Sequence, residues 1–397
     1  MTTLDVAPAT RITPTRDYDL VIHGGTVIDP SQKLHGLLDV GIRDGKIASV
    51  EAGIPADRGK QAYDAAGTVV TPGWIDLHVH AYQGLGSGLD ADHYALARGT
   101  TTVVDAGSTG HVFVGRFIED ILRTRKTRIF TLVHLDPVGP TTGLPFSQDN
   151  IDWLDPKKTA AAAKRNRPAV VGIKVHLQAH KSKRPQELEM EFLKRGIEAA
   201  ELAGLPLMAH INETYYPLKD HLALMRKGDI FTHCFNDYTQ TRPVDADGNV
   251  LPEAWDSRKR GVIWDVAMSH EHPHFRFAVA EKFLEQGFPP DTISSDNNQA
   301  HATEDVFDLQ TTVAKFLAIG MDLDKAIECV TVNPSKVFDF GVDIGTLRPG
   351  SEADVSVFEL EQGRYVFRDG SGETRTGDTK FISKAVVRRG ELYLNSL

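Results

Sequence analysis

The chain has few cysteines and no long apolar segment. Its 397 residues include only two cysteines, Cys234 and Cys329, so a disulfide framework cannot hold the fold together. No run approaches the roughly 18 consecutive apolar residues that a membrane-spanning helix needs. Residues 1–16 lack the apolar core of a secretory signal and show no periodicity, which predicts a flexible N-terminal arm. These absences together predict a cytoplasmic protein.

The chain also lacks an excess of positive charge. Lys and Arg number 44 against 54 Asp and Glu, giving a formal net charge of −10. Nucleic-acid binding needs a clustered positive field, so we expect neither a nucleic acid nor a membrane as partner. The apolar fraction of 41% and the charged fraction of 25% are ordinary for a globular protein. A chain of this length can form two compact domains or one large α/β barrel with an appendage.

A strand-like stretch that begins at Gly73 contains two histidines one residue apart. The apolar and β-branched residues around them predict a strand, and Pro72-Gly73 predicts that it begins sharply. Side chains two positions apart on a strand project from the same face, so His78 and His80 could bind one metal ion. A histidine pair on a strand is more often structural than metal-binding, so the rest of the chain must decide between the two interpretations.

After Pro72, strands alternate with helical stretches, which is typical of a parallel β/α fold. Eight such units match a closed (β/α)8 TIM barrel, whose chemistry lies at the carboxyl ends of its strands. The predicted barrel strands are residues 74–80, 101–105, 129–134, 170–175, 207–210, 230–233, 262–266 and 292–296.

Short strands with glycine-containing turns flank the alternating region on both sides. The N-terminal ones include residues 20–22 and 38–42, and the C-terminal ones are residues 354–358 and 384–393. We expect the two ends of the chain to pair into one small β-sandwich. The predicted domains are a β-sandwich of residues 17–71 and 341–397, a barrel of residues 72–340 and an arm of residues 1–16.

Polar residues close most of the predicted barrel strands. A hydrolytic metal centre needs neutral imidazoles, anionic oxygens and an open position for water. Four of the histidines could bind two metal ions, with two histidines for each ion. The pairs are His78 with His80 and His210 with His233. Asp296 could bind the first ion and also accept a proton.

Lys174 also nearly closes a predicted strand, where a buried ammonium is costly unless it is paired or chemically converted. These strand-end residues make the chain resemble the amidohydrolase superfamily over nearly its whole length. The resemblance includes Pro72-Gly73 and two C-terminal segments, residues 333–336 and 345–354. In that superfamily the lysine of strand four is carbamylated by carbon dioxide and bridges two divalent metal ions, usually zinc. The resemblance implies this role for Lys174, and it implies that Asp296 is the general base.

Three segments resemble the dihydroorotase or deacetylase branch of the superfamily. They are residues 172–174, 231–236 and 290–296. This resemblance implies a metal-bridging hydroxide that cleaves an amide or ester bond of a small, acylated, carboxylate-bearing substrate. Hydrolysis of a cyclic amide, as in dihydroorotase or hydantoinase, is an alternative, and a non-catalytic barrel scaffold is another. The exact substrate, the native metal and homo-oligomer formation stay open.

Candidate substrate-binding residues lie in and after strand four and after strand eight. His176 follows Lys174 by two residues and should face the same way. Lys181 belongs to a basic loop that also contains Lys183 and Arg184, and this loop would attract a carboxylate to the barrel mouth. Solvated surface charge is the alternative interpretation of the loop. Asn297 follows Asp296 in a loop that should contact the substrate.

Other polar residues near the strand ends are given structural roles. Asp76 is interpreted as a hydrogen-bonding support beneath the metals, and Asp105 and His134 as supporting or pocket-lining residues. Cys234 should face away from His233 as a small buried hydrophobe. The run of His270, His272 and His274 resembles a metal cluster by composition, but Pro273 makes the run irregular and favours a loop surface.

Overall fold

The computed structural model describes residues 16–84, 88–140, 150–178, 185–269, 273–300 and 308–394. The basic loop around Lys181 and both His270 and His272 lie outside these ranges, as does almost all of the predicted N-terminal arm. The strands are β1 Tyr18–His23, β2 Thr26–Asp29, β3 Leu34–Leu37, β4 Asp39–Arg43, β5 Lys46–Glu51, β6 Gly59–Asp64, β7 Val69–Pro72, β8 Trp74–Val79, β9 Thr100–Asp105, β10 Arg128–His134, β11 Val170–Gln178, β12 Leu207–Asn212, β13 Ile230–Thr232, β14 Ile263–Trp264, β15 Val355–Arg368, β16 Thr374–Arg388 and β17 Glu391–Leu394. The α-helices are α1 Ala91–Tyr94, α2 Val114–Phe117, α3 Pro156–Arg165, α4 Glu189–Ala203, α5 Leu218–Leu224, α6 Pro252–Arg260, α7 Phe277–Glu285, α8 Leu309–Ala318 and α9 Leu323–Glu328.

The barrel is built on a seven-stranded parallel sheet in which strands β8 to β14 follow one another in chain order. Short apolar runs that alternate with helices favour this arrangement, because a parallel connection must cross over the sheet. Apolar residues such as Leu77, Leu132 and Met208 fill one cluster. A larger cluster, with Phe192 and Trp264, packs between strands and helices. The predicted α/β barrel with an additional β domain is confirmed.

The eighth predicted strand is the exception. Residues 292–297 form no regular ladder and instead make single bridges, from Thr292 to Asp265 on one side and from Asn297 to Val79 on the other. These two bridges join the last segment to both edges of the seven-stranded sheet. Asp296 has a φ of +54°, a left-handed conformation that interrupts an extended strand. The prediction of a regular strand over residues 292–296 is therefore wrong, although the segment occupies the expected place.

Two further sheets bring the chain ends together. A four-stranded sheet has the order β5-β4-β1-β6, and a six-stranded sheet has the order β17-β16-β15-β7-β2-β3. The second sheet joins N-terminal and C-terminal strands, because β7 pairs with β15 and Pro72 lies opposite Val355. Apolar residues of both sheets, among them Ile22, Val40 and Val387, share one core. The domain limits at residues 71 and 341 stay predictions.

The C-terminal strands are longer than the sequence patterns predict. β15 and β16 form a hairpin of 14- and 15-residue strands. Gly363 and Gly377, which we expect to mark turns, lie inside these strands, and the register shifts between Gln362 and Tyr365. Much of the hairpin is exposed, so it lacks the apolar alternation by which a strand is recognised in a sequence.

Gly73 forms the passage from the six-stranded sheet into the barrel. A Cβ atom at this position would lie 2.3 Å from the Thr101 Oγ1 atom and 2.9 Å from the Asp354 Cβ atom. A residue with a side chain would therefore push β8 away from its neighbours, and glycine keeps β7 and β8 nearly continuous.

Among the described residues, none of the helices combines the length and the apolar character that crossing a bilayer requires.

Candidate active site

One group of possible metal ligands lies at the carboxyl end of β8. The Asp296 Oδ1 atom is 3.3 Å from His78 Nε2 and 3.5 Å from His80 Nε2. The ligand atoms of the three residues all lie within 4.8 Å of one another. The barrel-closing segment thus brings a carboxylate to His78 on β8 and to His80 just after it, as a site for a divalent ion requires.

His78 is oriented by a chain of hydrogen bonds behind it. Thr232 Oγ1 donates to Asp265 Oδ2 at 2.8 Å and lies 2.9 Å from His78 Nδ1. The threonine hydroxyl uses its single proton in the hydrogen bond to Asp265. Its oxygen therefore accepts a hydrogen bond from His78 Nδ1–H. The Nε2 lone pair of the neutral ring then points toward Asp296. Asp265 also accepts hydrogen bonds from the Thr292 and Ser294 hydroxyl groups, which ties β14 to the barrel-closing segment.

His80 is oriented in the same way from the loop after β9. Ser108 Oγ donates to Asp105 at 2.6 Å and lies 2.9 Å from His80 Nδ1. Asp105 also accepts from the backbone N–H groups of Ser108 and Ala81, at 2.7 and 2.8 Å. His80 therefore also directs Nε2 toward Asp296, and Asp105 has the supporting position that its strand-end location predicts.

A second group consists of His210, His233 and His274, whose ligand atoms lie within 4.8 Å of one another. His233 Nδ1 donates to the Ala267 carbonyl at 2.7 Å, so Nε2 carries the lone pair of the neutral ring. His233 and Ala267 both have positive φ angles, +56° and +44°, which non-glycine residues seldom adopt. The strained residues are therefore the two that form the hydrogen bond orienting the His233 ring. The two groups adjoin, since the His78 and His233 ring centroids are 5.2 Å apart.

The interpretation of His274 as a loop-surface residue is wrong. The side chain is buried, its Nδ1 atom is 3.1 Å from the Tyr238 hydroxyl, and its ring centroid is 4.5 Å from that of His233. The chain turns inward because the Asp237 N–H donates to the Pro273 carbonyl at 2.9 Å and Phe275 is buried in the main core. Composition alone suggested a metal cluster in this run, and a metal role for His274 stays a prediction.

Lys174 lies beside the first group. Its Nζ atom is 3.2 Å from His78 Nε2, and burial lowers the pKa of the amine to about 8. Gly107 makes room for the lysine stem, because a Cβ atom there would lie 2.7 Å from Lys174 Cβ. His176 faces the same way, as predicted, and its ring centroid is 3.9 Å from that of His210.

The donor set fits divalent metal ions. Burial and then the nearby Lys174 charge hold the pKa of His78 well below its ordinary value, and burial and His176 do the same for His210. Both rings are therefore neutral at pH 7, which is the form that binds a metal. His210 Nε2 is buried without a hydrogen-bond partner among the described residues. Burying an unpaired polar atom lowers stability unless a ligand binds to that atom.

Asp76 connects β8 to the barrel-closing segment and is not among the grouped ligands. It accepts hydrogen bonds from the Ser295 hydroxyl at 2.5 Å and from the Ser295 N–H at 3.1 Å. Burial raises its pKa to about 7. Asn297 is buried beside this connection, and its carbonyl accepts from the His80 N–H at 2.9 Å. Asp76 thus supports the site through hydrogen bonds, as predicted.

The comparisons with known proteins agree with this geometry. The model of the amidohydrolase family matches residues 69–392. The chain belongs to the amidohydrolase family. A relative named deacetylase, from Enterococcus faecalis, is 31% identical over 391 residues, which is 96% of this chain and 100% of the relative.

Solved structures of amidohydrolase relatives superpose over almost the whole chain. A crystal structure of an adenine deaminase has a TM-score of 0.82 and 29% identity, and covers 96% of this chain and 100% of its own. A crystal structure of a dihydroorotase has a TM-score of 0.84 and 27% identity, with 94% and 97% coverage. The protein is therefore a metal-dependent hydrolase whose relatives carry different reaction names, so the reaction must be argued from its own pocket.

Sequence reasoning missed several residues that orient this amidohydrolase site. Thr232, Ser108 and Ala267 contact the histidines through side-chain or backbone oxygen atoms, and none of them belongs to a recognisable metal-binding spacing. Asp265 lies one residue before the end of the predicted seventh strand, residues 262–266, which was the available signal. Cys234 is fully buried in the main core, so the prediction that it is a buried hydrophobe is confirmed.

Proposed function

We propose that this amidohydrolase is a binuclear hydrolase that removes an acyl group from a small, carboxylate-bearing substrate. His78, His80 and Asp296 would hold one ion, and His210 and His233 the other, with His274 beside the second ion. Lys174, as a carbamate formed with carbon dioxide, would bridge them. Zinc is the proposed metal, because imidazole and carboxylate donors with one open position suit it.

The observation that supports this proposal most is the position of Lys174. An amine buried 3.2 Å from the Nε2 atom of His78 cannot serve as a metal ligand while it carries a proton. Its lowered pKa increases the neutral fraction, and the neutral amine is the form that reacts with carbon dioxide. A carbamate formed in this way would have two oxygen atoms that share one negative charge, and each of them could bind one ion.

The protein's own residues would orient the substrate and move the proton. When bound, the ions would polarise the scissile carbonyl and favour the attacking form of water. Asp296 Oδ1 faces both His78 and His80, so it can take the proton from the attacking water and return it to the leaving group. The hydrogen bonds behind His78 and His80 keep both rings in the required tautomer.

Two observations support an acylated, carboxylate-bearing molecule as the substrate. The relative from Enterococcus faecalis is named deacetylase, and the basic loop with Lys181, Lys183 and Arg184 follows β11 in the sequence. That loop lies outside the described residues, so the role of Lys181 stays a prediction. Hydrolysis of a cyclic amide is the second candidate, because the dihydroorotase structure is similar over nearly the whole chain.

Elemental analysis together with a substrate panel tests the proposal. The purified protein should contain about two divalent ions per chain, and it should turn over N-acyl amino acids or O-acyl hydroxy acids faster than cyclic ureides or dihydroorotate. Faster turnover of the cyclic amides would favour the second candidate. Full metal content without turnover of any panel member would overturn both.

A further inference from the structure

Asn212 ends β12 in the layer of side chains just beyond the histidines. Three residue pairs of β11 and β12 lie in register and two positions apart: Lys174 with Met208, His176 with His210, and Gln178 with Asn212. The first two pairs are in side-chain contact, since Lys174 Nζ is 3.6 Å from Met208 Sδ and the His176 and His210 rings are 3.9 Å apart. Because side chains alternate along a strand, Asn212 projects to the same side, one layer closer to the barrel mouth.

The carboxamide of Asn212 makes no hydrogen bond to the residues that the structure describes. The residue is 0% exposed, and neither Oδ1 nor Nδ2 has a hydrogen-bond partner among the described residues. A buried amide group without a partner is costly. Asn236 shows the usual arrangement, because its Nδ2 donates to the His233 carbonyl at 3.0 Å and its Oδ1 accepts from the Thr241 hydroxyl at 3.1 Å.

We propose that Asn212 is a substrate-positioning residue that recognises an N-acyl α-amino acid and makes the enzyme an amidase rather than an esterase. The inference rests on the proposed acyl-acid function. Asn212 Oδ1 accepts the N–H of the scissile amide, and Nδ2 donates to an oxygen of the adjacent carboxylate. These two substrate groups are separated by only two carbon atoms, so one carboxamide can reach both.

An O-acyl hydroxy acid cannot satisfy the same carboxamide. Its ester oxygen has no hydrogen, so Asn212 Oδ1 would stay buried without a donor and would face another lone pair. Sites that form a hydrogen bond to a substrate N–H reject the analogue that lacks it, because the buried protein group is left unpaired. A single lost hydrogen bond of this kind changes kcat/KM by roughly 10- to 100-fold.

The test compares N-acetylalanine with O-acetyllactate, each in both configurations, on the wild-type enzyme and on Asn212→Leu. The ratio of kcat/KM for the amide to that for the ester should fall roughly 10- to 100-fold in the variant. Because each substrate is compared with itself across the two proteins, the greater intrinsic reactivity of the ester cancels. Asn212→Asp keeps an acceptor oxygen and loses the donor, so KM should rise for both acids while most of the amide preference survives.

A stability measurement separates this role from a structural one. Leucine keeps the branching of asparagine at Cγ and removes both buried polar atoms, so Asn212→Leu should unfold at the wild-type temperature or above it. The control variant Asn236→Leu breaks three internal hydrogen bonds, to the His233 carbonyl, the Tyr238 N–H and the Thr241 hydroxyl, and should unfold at a lower temperature. A loss of stability in Asn212→Leu equal to that of the control would overturn the inference.

The kinetic outcomes distinguish this inference from the proposed function. If the wild-type enzyme hydrolyses the ester and not the amide, or if the ratio is unchanged in Asn212→Leu, the role of Asn212 is refuted and the acyl-acid function stands. If the metal-loaded enzyme hydrolyses neither acid, the proposed function fails and the inference fails with it.

Discussion

Asp296 has two proposed tasks, and one substitution separates them. Asp296→Asn keeps an oxygen beside His78 and His80 but removes the base, so metal content should stay near the wild-type value while kcat falls by roughly 10²–10⁴-fold. Elemental analysis and steady-state kinetics measure the two effects. Asp155→Asn is the control, because Asp155 caps α3 through the Lys157 N–H and asparagine caps a helix equally well. Wild-type turnover by metal-loaded Asp296→Asn would contradict the role of Asp296.

Lys174 should be necessary for metal binding rather than for the proton step. Lys174→Ala removes the proposed bridging group, so both ions should be lost on dialysis. Short carboxylic acids added with divalent metal should restore part of the activity by occupying the vacated space. Lys315→Met is the control, since Lys315 is the other buried lysine among the described residues. An unchanged metal stoichiometry in Lys174→Ala would rule out the bridge.

The site depends on contacts between neighbouring strand ends, and Thr232 at the end of β13 provides one. Thr232→Val removes the hydroxyl between His78 and Asp265, so the His78 ring loses its orienting partner. Metal affinity should fall about 10–100-fold, measured by competition with a chelator. In the control Thr159→Val the removed hydroxyl is buried without a hydrogen-bond partner among the described residues, and affinity should not change. Equal affinities for the wild-type and Thr232→Val proteins would show that Thr232 is dispensable.

At the scale of the whole molecule, Arg128 connects the barrel to the β domain. It lies at the start of β10, the end of the strand remote from the metal ligands, and is buried. It pairs with Asp354, and its second amino group is 3.0 Å from Glu352. Arg128→Met leaves two buried carboxylates without this partner, which should lower the free energy of unfolding by about 3–5 kcal/mol.

Urea denaturation measures this loss, and Arg123→Met is its control. Arg123 pairs with Glu119 on the exposed surface, where such pairs contribute about 0–1 kcal/mol. Metal content and kcat of folded Arg128→Met should match the wild-type values, because the substitution is at the opposite end of the barrel. A loss no larger than that of Arg123→Met would show that the domains are held together by apolar contacts alone.

The same cluster predicts how stability depends on pH. Burial alone would raise the pKa of Glu352, but the Lys46 hydrogen bond and the Arg128 charge together lower it below its ordinary value of 4.5. A carboxyl group with a lowered pKa in the folded state stabilises the protein above pH 4.5, and this contribution is lost as the pH falls toward the folded-state pKa. The stability difference between wild type and Arg128→Met should therefore be largest at neutral pH and narrow below pH 4.5. Urea titrations at several pH values test this, and a difference that grows with acidity would contradict it.

The sequence by itself determined the fold class and the order of the site residues along the chain. Strand and helix periodicities are local, so seven barrel strands, and the location of His78, Lys174 and His210 on them, could be recognised from neighbouring residues alone. The roles of these three residues as metal ligands stay predictions. The predicted fourth and fifth strands were too short, because Lys174 lies in the middle of β11 and β12 continues to Asn212. The long β15–β16 hairpin escaped prediction because its pairing is made between strands and leaves little apolar alternation.

Only the tertiary structure decided which polar groups meet. His274 turns inward because the segment after β14 hydrogen-bonds to residues that follow β13. The Asp296 backbone adopts its left-handed conformation where the barrel closes. The Asn212 carboxamide is buried without a hydrogen-bond partner among the described residues. Each of these features depends on contacts between elements far apart in the chain, and no local pattern of residues encodes the distance between two such elements.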